Sequence, residues 1–420
     1  MQIEKISKIN DISIEILGSK SYTNRALIIA SLADGKTILH NPLYSDDTEY
    51  MIKSLEKLGV KFEKKDKNLT VYGTGGKFNT FENLELFCGI AGTTSRFLTG
   101  LLVLSQDNLI INGEGKILER PIGELVDGLR QIGANIEYLG KEGSLPLKGN
   151  GKNINGNEIA ISGEISSQYF TALLMVAPML KNGLKIKVID EQVSKSYIDI
   201  TCDIMKQFGV DVINNDYKEY IVKPAKYKAR EYNIEGDWSS ASYFCCIGAL
   251  HDGSIEITNV NNNSVQGDKN FPKLIEKAGG IVEYKENSII VKKGEIKPIE
   301  VDMELMPDTA MSLAVFLSFA NGNSKITGLS TLKDKETNRL VVLQSELKKL
   351  SIESEIGDDF IVIKGGNPKV IGEIETYNDH RIAMSFAIVG TKLDGLVIKN
   401  PEVVKKSFPE FWDYLKKLQG

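Results

Sequence analysis

The 420-residue sequence is poor in the residues that build metal and disulfide sites, with four cysteines and three histidines. Cys88, Cys202, Cys245 and Cys246 form no Cys-x-x-Cys pair and no zinc-ligand spacing. This predicts free thiols in a reducing compartment and chemistry that uses no metal and no cofactor. Long apolar runs are also missing. The longest, residues 170–180 and 310–320, fall well short of the ~20 residues that span a bilayer, and the start Met1-Gln2-Ile3-Glu4-Lys5 is already charged. A cytoplasmic protein with no export or membrane segment is expected. Positive charge is not in excess either: 51 Lys and Arg stand against 56 Asp and Glu, a net charge of −5 that disfavours generic nucleic-acid or membrane-surface binding. What is present is apolar content, 42% of the chain. At this length that supports two domains of about 200 residues rather than one core.

The chain repeats itself. An apolar helix opened by Ser, Thr or Asp, followed by Gly or Asn and a short β-rich run, occurs six times. The six starts are Ser21-Tyr22-Thr23-Asn24-Arg25, Thr93-Thr94-Ser95-Arg96, Ser166-Ser167-Gln168-Tyr169, Ser239-Ser240-Ala241-Ser242, Asp308-Thr309-Ala310-Met311 and Asp379-His380-Arg381-Ile382. Ser21, Thr94, Ser167 and Ser240 are spaced by 73 residues, as are Ala310 and Ala383. Each unit adds a second, amphipathic helix, near residues 47–58, 122–132, 197–208, 271–278, 339–350 and 408–418. Five of these lead into β-rich runs, whereas the sixth meets the C-terminus. The strands missing from the sixth unit are therefore expected from residues 3–16. That closure predicts a discontinuous domain, 1–17 plus 236–420, with repeats four to six, and an inserted domain, 18–235, with repeats one to three. Gly18 and Gly236 mark the crossings and are candidate hinges. The almost wholly apolar first helices should be buried, and their N-terminal N–H groups would suit anions in a common cleft. A repeat built for packing alone explains the pattern equally well until the charges are placed.

Most Lys and Arg fall on solvated helix faces. Lys20 and Arg25, Arg96, Arg120 and Arg381 do not: they lie at helix starts, where a cation opposes the helix dipole unless an anion is bound nearby. Any one of them is best read as a surface ion pair, but five together point to anion binding. Asp308 stands where an N-cap would, and capping is its default reading. Glu336 lies between cations in Lys335-Glu336-Thr337-Asn338-Arg339, an arrangement that suits either a proton shuttle beside an anion or a structural ion pair.

Eight ordered stretches together resemble the 5-enolpyruvylshikimate-3-phosphate synthase family. They are Gly18-Ser19-Lys20-Ser21 through Asn24-Arg25-Ala26-Leu27; Ala91-Gly92-Thr93-Thr94 with Arg96; Glu119-Arg120-Pro121-Ile122-Gly123; Ser166-Ser167-Gln168-Tyr169; Pro307-Asp308; Lys335-Glu336-Thr337-Asn338-Arg339; Asn378-Asp379-His380-Arg381; and Lys406-Ser407-Phe408-Pro409. The resemblance implies an α/β fold of two inside-out domains, each of three repeated βαβαββ-like units with buried helices, and an active site in the interdomain cleft. It implies transfer of the enolpyruvyl group of phosphoenolpyruvate to the 5-hydroxyl of shikimate 3-phosphate. The implied contacts to shikimate 3-phosphate are Lys20, Ser21, Arg25, Ser166, Ser167, Gln168, Ser194, Tyr197, Asp308 and Lys335. Those to phosphoenolpyruvate are Lys20, Gly92, Thr93, Arg120, Gln168, Arg339, Arg381 and Lys406. Asp308, Glu336 and Lys20 are the implied catalytic groups, with no metal. The two small molecules are the expected partners of a monomeric enzyme that binds neither nucleic acid nor membrane, and inhibition by glyphosate at the phosphoenolpyruvate site is expected.

The sequence departs from the family pattern at Ile90 and Thr331, where many members have Asn, and at Asn338, where Asp is frequent. The related transferase that acts on UDP-N-acetylglucosamine fits less well, since it typically has Lys-Asn in place of Lys20-Ser21 and lacks the Lys335-to-Arg339 motif. A non-catalytic anion-binding module would gain nothing from carboxylates beside its ligand. A nucleic-acid-binding repeat protein is disfavoured by net charge and by the lack of basic and aromatic runs.

Overall fold

The computed structural model describes residues 1–419 and is an α/β protein with twelve α-helices among those residues. Six are buried on nearly every side: α1 (Lys20–Leu32), α3 (Gly92–Leu101), α5 (Ser167–Val176), α7 (Trp238–Leu250), α9 (Ala310–Leu317) and α11 (His380–Lys392). Between them come α2 (Asp46–Lys57), α4 (Gly123–Gln131), α6 (Lys195–Gln207), α8 (Phe271–Lys277), α10 (Arg339–Lys348) and α12 (Phe411–Lys417). Apart from the buried charges Asp47 on α2 and Arg339 and Glu346 on α10, this second set turns an apolar stripe inward and charges outward, so it covers the first set from the solvent side. All six expected helix pairs are present. The Ser or Asp read as opening a buried helix is a true cap in two of them, and a third is capped by Asp237, just ahead of the Ser239-Ser240 start. Ser166 accepts from Gln168 N–H, Asp237 from Ser240 N–H and Asp379 from Arg381 N–H.

The strands form five four-stranded sheets. Each contains one parallel pair and two antiparallel pairs, as in the sheet where Leu84–Phe87 runs parallel to Leu109–Asn112, which pairs antiparallel with Leu147–Asn150. Strand order is preserved across the units, which accounts for the 73-residue period. Among the described residues the sixth unit has no sheet of this kind and holds isolated bridges, Gln2 with Val397 and Ile374 with Ile398. Here the sequence-based expectation needs correcting. Residues 3–16 do not supply the sixth unit's strands as a block. Met1 to Ile3 reach the sixth unit, where Ile3 N–H donates to Leu396 O, while Ile12–Glu15 runs parallel to Ser254–Thr258 in the fourth. Ile6 and Ile9, buried between those two roles, carry the chain from one to the other.

The chain divides into two compact units, Met1–Leu17 with Glu235–Gly420, and Gly18–Ile234. Each has a hydrophobic core of its own, built from its three buried helices and the inner faces of its sheets. Gly18 and Gly236 owe their identity to packing. A Cβ on either would lie 1.9 Å from a carbonyl oxygen, that of Asn41 for Gly18 and of Asn259 for Gly236. No helix among the described residues is long and apolar enough to cross a membrane.

Candidate active site

In the unit of residues 18–234, cations gather at the starts of the buried helices. Arg25, one turn into α1, is fully buried. It is held by four neutral acceptors, Thr201 Oγ1 at 2.9 Å, Ser21 O at 3.0 Å, Thr171 Oγ1 at 3.2 Å and Tyr197 O at 3.0 Å. Burial without a carboxylate among these partners lowers the guanidinium to about 10. Lys20 pairs with the buried Asp47 at 3.3 Å. At the start of α3, Gly92 leaves room for two guanidinium groups: a Cβ there would lie 2.6 Å from both Arg96 Nη1 and Arg120 Nη1. Arg96 donates to Gly92 O and Pro121 O, and burial together with the neighbouring Arg120 lowers it to about 10. The Nε of Arg120 is buried without a hydrogen-bond partner. At the start of α5, Gln168 Nε2 donates to Thr93 Oγ1 at 3.3 Å, while its Oε1 is buried and unpaired. Ser194 precedes α6 in a left-handed conformation, φ 53°, and its side chain makes no cap hydrogen bond. Two adjacent cations, an open amide and several hydroxyls make this a place for a polyhydroxylated anion.

In the other unit the charges interlock. Asp308 lies in a short 3-10 turn, Pro307–Thr309, ahead of α9. It is not the helix cap that its sequence position suggested. Its carboxylate turns instead to Arg339 at 3.0 Å, Arg381 at 3.2 Å and Lys335 at 3.5 Å. Burial alone would raise this carboxyl group, but Lys335, Arg381 and Arg339 outweigh it and hold it well below the usual carboxylate range. Glu336 bridges Arg339 at 2.9 Å and Lys406 at 2.8 Å. Arg339, the first residue of α10, is 1% exposed and also forks onto Asp379 at 2.7 and 3.2 Å. Burial opposes its charge, yet Asp379, Glu336 and Asp308 reverse that effect and keep it protonated. Four cations therefore alternate with three carboxylates, two of which, Asp308 and Glu336, keep about 15% of their side-chain surface exposed.

A family model for EPSP synthase (3-phosphoshikimate 1-carboxyvinyltransferase) matches residues 3–415. The chain belongs to the EPSP synthase family. The 3-phosphoshikimate 1-carboxyvinyltransferase of Vibrio vulnificus (strain YJ016) is 42% identical, covering 100% of this chain and 98% of its own. The enzyme of the same name from Colwellia psychrerythraea (strain 34H) is 43% identical, covering 99% and 98%. Among solved structures, the EPSP synthase of Acinetobacter baumannii shares the fold with a TM-score of 0.84 at 24% identity, covering 99% of this chain and 97% of that one. The enolpyruvyl transferase NikO of Streptomyces tendae shares it with a TM-score of 0.76 at 15% identity, covering 99% and 96%.

Within this EPSP synthase fold, Asp308, Lys335, Glu336, Arg339, Arg381 and Lys406 form one ion-pair network. Lys20, Ser21, Arg25, Gly92, Thr93, Arg120, Ser166, Ser167, Gln168, Ser194 and Tyr197 lie at or just before the starts of α1, α3, α4, α5 and α6. Two of the three departures from the family pattern acquire a physical reading. Asn338 caps α10 by accepting from Val341 N–H, a task Asn and Asp perform equally well. Thr331 presents a buried hydroxyl with no hydrogen-bond partner. Ile90 is 36% exposed and removes no charge. The site list read from sequence omitted Asp47 and Asp379. Asp379 had a legible signal, a carboxylate at a helix start, but its pairing with Arg339 spans 40 residues and leaves no local pattern.

Proposed function

We propose that this protein is a cytoplasmic 3-phosphoshikimate 1-carboxyvinyltransferase. It transfers the enolpyruvyl group of phosphoenolpyruvate to the 5-hydroxyl of shikimate 3-phosphate and releases inorganic phosphate, a step of the shikimate pathway towards chorismate and the aromatic amino acids. The observation that carries the reading is the presence of two partly exposed carboxylates, Asp308 and Glu336, inside a ring of cations, in a chain that matches the family along its whole length.

Shikimate 3-phosphate takes its phosphate and hydroxyl contacts from Lys20, Ser21, Arg25, Ser166, Ser167, Gln168, Ser194, Tyr197, Asp308 and Lys335. Phosphoenolpyruvate takes its charge contacts from Lys20, Arg120, Arg339, Arg381 and Lys406, with Gly92, Thr93 and Gln168 beside them. The proposed contacts draw on residues of both units. Asp308 removes the proton of the 5-hydroxyl as its oxygen attacks C2 of phosphoenolpyruvate, while Glu336, together with Lys20, delivers a proton to C3. The product is a tetrahedral ketal carrying a methyl group. Loss of a methyl proton then expels phosphate, whose departing charge the cations stabilise, and leaves the enol ether. Paired with three cations, Asp308 is too acidic to be a good base. Substrate anions that engage Arg381, Arg339 and Lys335 weaken that pairing and raise the carboxyl into a range where it accepts a proton. Binding and base activation are therefore one event.

Purified protein should release phosphate from phosphoenolpyruvate only when shikimate 3-phosphate is added, and not with UDP-N-acetylglucosamine. Release with the nucleotide sugar alone would assign the chain to the sister reaction. Glyphosate should compete with phosphoenolpyruvate, and full activity at millimolar inhibitor with near-KM phosphoenolpyruvate would contradict that part of the reading.

A further inference from the structure

Helix α10 carries a second anchor that the chemistry above does not use. Glu346 follows Arg339 by seven residues, close to two turns, so both side chains leave the helix on the same face. Glu346 is fully buried. Its Oε1 accepts from the hydroxyl of Tyr377 at 3.0 Å, and its Oε2 from the N–H of Glu375 at 3.0 Å and from Lys349 Nζ at 2.8 Å. Two of these three donors belong to the segment of residues 375–379. That segment ends at Asp379, which Arg339 grips from the same helix face. Between the two grips, Tyr377 and Asn378 both have left-handed backbones, φ 51° and 56°. Asn tolerates that region, whereas an aromatic residue rarely occupies it. A turn of this kind persists where its surroundings over-determine it. Here Asp379 N–H donates to Thr376 O at 2.8 Å, and the remaining hold comes from α10.

We propose that Glu346 is a positioning residue for the transferase reaction. By holding Tyr377 and the Glu375 N–H it fixes the left-handed turn, and the turn sets Asp379. Asp379 in its own turn aims Arg339 through the forked ion pair and sets the first turn of α11, which carries Arg381, by accepting from the Arg381 N–H. The inference rests on the reading above, in which Arg339 and Arg381 receive the phosphoenolpyruvate anion. Displacement of such a clamp by about 1 Å is enough to cost on the order of 100-fold.

Steady-state kinetics on three full-length variants test it. Glu346→Ala should raise KM for phosphoenolpyruvate about tenfold or more, lower kcat by less, and leave KM for shikimate 3-phosphate within about twofold. Glu346→Gln, whose carbonyl can accept from Glu375 N–H while its amide donates to Tyr377, should recover most of the loss. Tyr377→Phe should lie between the two. Wild-type KM for phosphoenolpyruvate in both Glu346→Ala and Tyr377→Phe, or a Gln variant no better than Ala, would overturn the proposal. If Glu346→Ala fails to fold, Tyr377→Phe decides, since residue 377 is 43% exposed. Amide hydrogen exchange across residues 375–382 needs no turnover. Faster exchange in Tyr377→Phe supports the clamp and unchanged exchange overturns it, even if the wild-type protein released no phosphate and the functional reading itself had failed.

Discussion

In the proposed reaction Asp308 is the residue on which the chemistry turns: three cations pair with its carboxylate, and the substrate anions would compete for them. Asp308→Asn keeps the size and loses the base, so kcat should fall by about 10²–10⁴-fold with binding largely retained. Wild-type turnover in that variant would move the base elsewhere. Gly92→Ala would push a methyl group against the ends of Arg96 and Arg120. Those are flexible side-chain termini, so the protein should melt within a few degrees of wild type while KM for phosphoenolpyruvate rises about tenfold or more. A third residue reports on stability. His251 is buried against Thr391, and burial, then Lys392 and Lys293, lower it from 6.5 to about 4. A histidine that is harder to protonate in the folded state stabilises the protein fully above its unfolded pKa of 6.5. That contribution is lost as pH falls from 6.5 to about 4. It amounts to about 3 kcal/mol. Chemical denaturation of His251→Gln between pH 7 and pH 4 should therefore show a flatter stability curve than wild type, and parallel curves would contradict the assignment.

At the scale of the element, α10 and α11 show how one side chain serves structure and site together. Asp379 caps α11 and neutralises Arg339. Asp379→Asn preserves the capping oxygen but leaves Arg339 short of a buried charge partner, which should cost about 3–5 kcal/mol, measured as the shift in denaturation midpoint. A loss under 1 kcal/mol would mean that Asp308 and Glu336 suffice. The helices themselves were legible in the sequence, because a mainly apolar stretch behind a Ser, Thr or Asp, followed by an amphipathic one, recurs six times. Lys20, Arg25, Arg120 and Arg381 were legible as site candidates for the same reason: a cation at a helix start is locally unfavourable and so calls for an explanation. For Asp308 the local default was a cap, because its spacing to α9 fits one; the site role came from the family resemblance, and only tertiary contacts show the carboxylate turned to residues 27 to 73 positions away. Glu346 and Tyr377 gave no sign at all. A glutamate on an amphipathic helix looks like a solvated one until the segment that buries it is known.

For the whole molecule, the 73-residue period carried most of the architecture, since a repeat that preserves helix order also preserves sheet order. What it could not resolve was how the first 17 residues divide between two repeats, because Ile3, Ile6, Ile9, Ile12, Ile14 and Ile16 suit either partner. The unit of residues 18–234 has a complete core, and its last strand, Glu231–Asn233, pairs with its first, Asp34–His40. Expressed alone, this segment should unfold cooperatively yet release no phosphate, since it lacks Asp308 and Glu336; a non-cooperative melt would show that it depends on the remainder of the chain. The most direct measurement is proton NMR of the complete reaction in D₂O. Addition of a proton to C3 followed by its loss from a methyl group requires deuterium in the vinyl methylene of the product, formed in step with phosphate. A product whose methylene carries only the protons of phosphoenolpyruvate would rule out addition and elimination, and with it the roles given to Asp308 and Glu336.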